Sequence, residues 1–179
     1  MVPMGSYGDF LNVLSGRLAK DGFTISRDVV VDPQFRLEVV AAKTQLSILR
    51  NSWCHAILVT TSDSTSIDTV KQFSSQGWNF SMANKPRFIE ENLGKALPPG
   101  QIRRVRMVAI PTIVSDGFGD DVKQWIVNNS PPHHSGDEFE FPVLVAISEK
   151  KIYHSQKASI WGRAYIKGVR ELVQTHLGF

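Results

Sequence analysis

The sequence predicts an α/β or α+β domain, a mixed β-sheet of about five to six strands flanked by helices and closed by a C-terminal amphipathic helix. Three observations predict it. Helical and strand-like hydrophobic periods interleave along the chain. Hairpin-like pairs of apolar runs occur near both ends, which favours a mixed over a purely parallel sheet. No repeat or linker divides the 179 residues, so 1–179 reads as a single globular domain. At 42% hydrophobic content, a chain of this length can bury roughly 70% of the surface that its unfolded form exposes.

The first helix is expected from Tyr7 to Lys20, with Phe10, Leu11, Val13, Leu14 and Leu18 as its apolar stripe and Asp21-Gly22 as its stop. Phe23 to Val31 and Phe35 to Ala42 read as strands joined by an Asp32-Pro33 turn. Ala56 to Thr61 is a short apolar run of the kind found at a sheet centre. Ser62 to Ser66 reads as a helix entry capped by Asp63 or Ser64, and that helix carries Ile67, Val70 and Phe73 before ending at Gly77. A short helix beginning near Pro86 is expected to stop at Pro98-Pro99-Gly100. Arg104 to Val114 resumes strand character, and a helix bearing Phe118, Val122, Trp125 and Ile126 follows, with Ser115 and Asp116 as candidate caps. Residues 128–137, rich in Asn, Ser, Pro and His, form a loop. An alternating strand, Phe139, Phe141, Val143, Val145 and Ile147, then leads through a turn at Lys150-Lys151 to a helix from Ile160 to Leu177. Gly162 and Gly168 inside that helix predict a close approach by its own sheet or by a second chain, since each costs about 1 kcal/mol relative to alanine.

Composition narrows the function. The net charge of +3 and a pI near 9.1 are mild, and nucleic-acid binding is not favoured by them. Cys54 is the one cysteine, which excludes an internal disulfide and fits a buried structural thiol in a reducing compartment. Met1 to Ser6 lacks the basic and apolar segments of a secretory signal, and no apolar run reaches bilayer length, so the expected location is cytoplasmic, without a membrane partner. No GxSxG, HExxH or GxGxxG pattern is present. The sequence therefore names no cofactor and no resident metal.

Candidate chemistry lies in three clusters. Asp28, Asp32 and Glu38, with Lys43 beyond them, gather acids and a lysine around the first hairpin, and Asp32, Glu38 and Lys43 are the candidate catalytic residues. The element order α, β, β, β, α, β, with an acid near its second strand, resembles the core of the PD-(D/E)XK nuclease superfamily over about the first 115 residues. The resemblance implies carboxylates that hold a divalent ion against a phosphate. The third strand here, Ala56 to Thr61, lacks the acid, spacer and lysine of that family, and the odd offset from Glu38 to Lys43 puts those two side chains on opposite faces of a strand. His133 and His134, beside Asp137 and Glu138, are candidate ligand-binding residues in the 128–137 loop, which would act as a flap over a pocket. Arg104, Arg106, Arg163, Lys167 and Arg170 are candidate nucleic-acid contacts, although Glu138, Glu140, Glu149 and Glu171 dilute any single-sign patch.

Three functional readings follow. The foremost is a non-enzymatic binding or interaction domain that forms a homo-oligomer. The second is a nucleic-acid-binding or degenerate nuclease-like domain. The third is a small-molecule enzyme with a pocket under the 128–137 loop, and a histidine of that loop meeting a carboxylate is the feature that would favour it.

Overall fold

The computed structural model describes residues 6–48, 51–135, 137–157 and 163–179. Its elements run α1 (Tyr7–Lys20), β1 (Thr24–Asp32), β2 (Phe35–Gln45), β3 (Ser52–Thr61), α2 (Ile67–Leu93), α3 (Pro99–Ile102), β4 (Val105–Ser115), α4 (Asp120–Asn128), β5 (Phe139–Glu140), β6 (Val143–Ala146), β7 (Lys151–His154) and α5 (Arg163–Leu177). The strands form one seven-stranded mixed sheet in the order β1-β2-β3-β4-β6-β7, with β5 also on β4. The mixed architecture expected from the interleaved periods is present.

The two hairpins and the parallel centre follow from the connections. β1, β2 and β3 pair antiparallel in sequence order. β3 and β4 are parallel, and the chain between them supplies α2 as the crossover. β6 and β7 close the far edge as an antiparallel hairpin. Phe10, Leu14 and Leu18 of α1 join Ile166, Val169 and Val173 of α5 on one face of the sheet. Val70, Phe73 and Phe88 of α2 join Val122 and Ile126 of α4 on the other. With both faces covered, the central strands read as continuous apolar runs.

Four expectations need correction. The seventh strand arises because the alternating run at 139–147 is split. Thr112 pairs with Val143 and Ala109 with Glu140, so the register is unbroken, but Pro142 and its opposite number Pro111 both lack an N–H and the ladder opens there. Gly77 does not end a helix. It lies inside the 27-residue α2, where an added Cβ would stand 3.0 Å from Leu58 Cδ1 and 3.2 Å from Pro111 Cγ, so the glycine lets the helix settle on the sheet. Pro86 is interior to the same helix, which ends at Gly94 in the left-handed conformation. Caps shift as well: Ser66, not Asp63 or Ser64, accepts from the Thr69 amide, and α4 begins after Gly119 with no side-chain cap.

Cys54 is fully buried, and desolvation pushes its thiol up to about 11, as suits a structural cysteine. No helix among the described residues is long and apolar enough to cross a membrane.

Candidate binding site beneath the 128–137 loop

A polar layer is buried between α2 and β5. Ser74, Trp78, Ser81 and Lys85 recur every three or four residues, which lays them along one stripe of α2. Glu138 and Glu140 alternate with Phe139 and Phe141, so the two carboxylates share the face of the strand that looks at this stripe. Both glutamates are buried. A buried carboxylate is tolerated only with partners, and each has them. The Lys85 ammonium donates to Glu138 Oε1 at 3.0 Å, and the backbone amide of Met107 donates to the same oxygen at 3.1 Å. Because β5 first pairs with β4 at Val108, the Glu138 side chain takes the place of a strand partner for Met107.

Glu140 is held differently. The Ser74 hydroxyl donates to its Oε2. His134 Nε2 stands 2.6 Å from its Oε1, within hydrogen-bonding distance. The imidazole is fixed by stacking on Trp78, with centroids 3.9 Å apart and planes 5° from parallel. The loop is further pinned by a His133–Phe139 bridge, by the Glu140 amide donating to Pro132 O and by Asn51 Nδ2 donating to Asp137 Oδ2.

Beside Glu140 lies a cavity of about 330 Å³ walled by Trp125, Ile126, Pro131, Pro132 and Pro142. Ser74, Ser75 and Ser155 add hydroxyls, and Lys71 stands with its Nζ 5.7 Å from the Trp125 ring centroid. Glu140 is 4% exposed, yet it contributes to this wall. Two of the roughly four acceptor positions of a carboxylate are used by Ser74 and His134, which leaves capacity for a ligand. A loop histidine does meet a carboxylate here, although His134 is not among the residues that line the cavity.

The structure places the other candidates apart from this centre. Asp32 is exposed at the first hairpin, where its Oδ1 accepts from the Gln34 amide. Glu38 lines a separate polar cavity of about 410 Å³ with Arg36, Thr60, Thr61 and Gln72. Lys43 donates to Asp21 Oδ2 at 3.1 Å and lies near His55 on the α1/α5 side of the sheet, so it and Glu38 belong to opposite faces. Asp28 pairs with Arg36 at 2.6 Å in a φ of 53°. Among the described residues, no group of three or more His, Cys, Asp and Glu side chains is arranged to hold a metal ion.

Of the basic candidates, Arg104 is exposed in the turn before β4, and Arg106 has its Nε buried without a hydrogen bond. Lys167 reaches Glu171 at 3.9 Å on the surface. Arg170 donates to the carbonyls of Ser155 and Lys157, tying β7 to α5. Arg163 begins α5, and its side chain lies outside the described residues, as do Trp161 and Gly162. Among the described residues Gly168 does not mark a close approach: a Cβ added there meets none of them within 4 Å.

Sequence reading missed Ser74, Lys85, Glu138 and Glu140 as a unit. The period-two spacing of Glu138 and Glu140 was a visible signal, but it looked like ordinary surface charge until helices were known to cover both faces of the sheet.

No protein-family model matches the chain, and no curated protein matches it. Among solved structures, the crystal structure of a repair endonuclease from Pyrococcus abyssi is similar at 14% identity with a TM-score of 0.28, covering 67% of this chain and 42% of that one. A likeness of that size carries no argument about activity.

Proposed function

We propose that this protein is a small-molecule-binding domain whose site is the cavity under the 128–137 loop, and that its ligand is a compact apolar amine. One observation carries the reading: Glu140, almost fully buried, is among the residues that line an otherwise largely apolar cavity. Burying an ionised group there is costly, and its two protein partners do not saturate it. A ligand ammonium would complete the set, while the proline, isoleucine and tryptophan walls would take an aliphatic or single-ring body. His134, stacked on Trp78, orients the carboxylate.

Benzylamine and phenethylamine, compared with benzyl alcohol and phenethyl alcohol by titration calorimetry, test this. A charge-assisted hydrogen bond contributes about 1.5–3 kcal/mol, so the amines should bind roughly ten- to a hundredfold more tightly than the alcohols. Glu140→Gln should remove that preference, and Ser130→Trp, which crowds the exposed side of the cavity, should weaken all four. Equal binding of amines and alcohols, or binding of none, would refute the reading.

A further inference from the structure

Another cavity, of about 260 Å³, lies on the opposite face of the sheet from the one beside Glu140, between the start of β3 and α5. Its distinguishing feature is a row of three rings. Trp53 and His55, two residues apart on β3, point to the same side and stack with centroids 6.3 Å apart at 19°. Tyr165 of α5 extends the row, its ring 4.7 Å from Trp53. Val108, Val169 and Leu172 supply apolar walls, and Gln45 adds an amide at the edge.

Two details mark the space as unfilled by the described residues. Gly168 lines it, and a Cβ there would meet nothing within 4 Å. The contrast with Gly77, which the sheet presses closely, shows that α5 does not need a glycine at 168 to pack. Helix-interior glycine is unfavourable, and here it leaves open room beside the cavity. The second detail is His55. Packed against Trp53 and half-buried, its ring makes no hydrogen bond among the described residues. Desolvation, aided by the Lys43 charge, lowers its pKa to about 4, so at neutral pH the ring offers one N–H donor and one bare nitrogen acceptor.

We propose that this cavity is a second ligand site, shaped for a flat heteroaromatic compound of one or two rings that lies against Tyr165 and Trp53 and hydrogen-bonds with His55 and Gln45. The volume supports that size, because an apolar cavity of about 150 Å³ already takes a benzene ring. Stacking supplies affinity, and the paired donor and acceptor of neutral imidazole select a ring that carries both in return. The site is independent of the amine pocket: none of its lining residues is shared with the cavity beside Glu140.

Saturation-transfer NMR and calorimetry with adenine, nicotinamide and indole, and with benzene as the ring lacking hydrogen-bond groups, provide the test. At least one heteroaromatic should bind at least tenfold more tightly than benzene. Gly168→Leu, which fills the space from an exposed helical position, should abolish binding, and Tyr165→Ala should weaken it about tenfold if the leucine variant fails to fold. His55→Phe should retain the ring stack and bring the heteroaromatic down to the benzene level, whereas Glu140→Gln should change nothing. Absence of binding by all three heteroaromatics at millimolar concentration overturns the proposal, as does unchanged binding in both Gly168→Leu and Tyr165→Ala. Concentration-dependent dimerisation that Gly168→Leu abolishes also overturns it, because the space would then belong to a second copy of the chain.

Discussion

Replacing Lys85 by methionine probes the polar layer most directly. The change conserves much of the side-chain volume but leaves Glu138 without its counter-charge, at a place where the two side chains are 7% and 10% exposed. Removing one partner of a buried pair costs about 3–5 kcal/mol, because the remaining charge keeps its desolvation penalty. The compensating variant is dictated by the Met107 amide, which donates to Glu138 Oε1 at 3.1 Å. Lys85→Met with Glu138→Gln removes the stranded charge and keeps a carbonyl acceptor for Met107, so the double variant should return to within about 2 kcal/mol of the parent. Urea denaturation at pH 7, followed by far-UV circular dichroism, reads both numbers. A loss below about 1 kcal/mol for Lys85→Met, or a double variant less stable than the single one, would show that Glu138 is not a paired, desolvated carboxylate.

Two further predictions concern glycine and pH. Gly168→Ala should stabilise the protein by about 1 kcal/mol, since none of the described residues obstructs its Cβ. Gly77→Ala should destabilise it, because overpacking of about 1–3 kcal/mol against Leu58 and Pro111 meets or exceeds the same helical gain; thermal melts giving the reverse order would contradict the packing described. Burial lowers the His55 pKa to about 4 in the fold, against an ordinary imidazole value of 6.5, so the unfolded chain binds the proton first, and this contribution to stability is complete above pH 6.5 and lost as pH falls toward 4. The stability of His55→Phe relative to the parent should therefore rise by about 3 kcal/mol between pH 7.5 and pH 4, and a constant difference would refute it.

How much of this was legible depended on the range of the signal. α1 was readable to its ends because the apolar stripe, Asp21 and Gly22 all act within one or two helical turns, and Gly22 does take a φ of 81°. The hairpin at Asp32-Pro33 was equally local. α2 was not, because Gly77 and Pro86 each favour a helix stop, and contacts from the sheet override both: Leu58 and Pro111 press on the glycine, while Phe88 and Ile89 beyond the proline are buried in the core. Reading α2 as ending at Gly77 hid the Ser74–Lys85 stripe, and with it the partner surface of Glu138 and Glu140. The loop histidines were visible as residue types, but only the fold brings His134 to Glu140 and Trp78.

The two cavities share a physical logic that separates them from the exposed acids of the first hairpin. Asp28 and Asp32 sit in water, where a charge costs little and its presence demands no explanation. Glu140 and His55 lie on strands of one sheet whose two faces are covered by helices. Adjacent residues of β4 define the two sites: Val108 lines the cavity beside His55, and Ala109 is the register partner of Glu140. In such a strand pair an apolar residue would serve folding better at either position, and each polar side chain retains an unused hydrogen-bonding position beside open volume. Polar groups kept against the local folding rule, next to space the chain does not fill, are where function is to be sought in this protein.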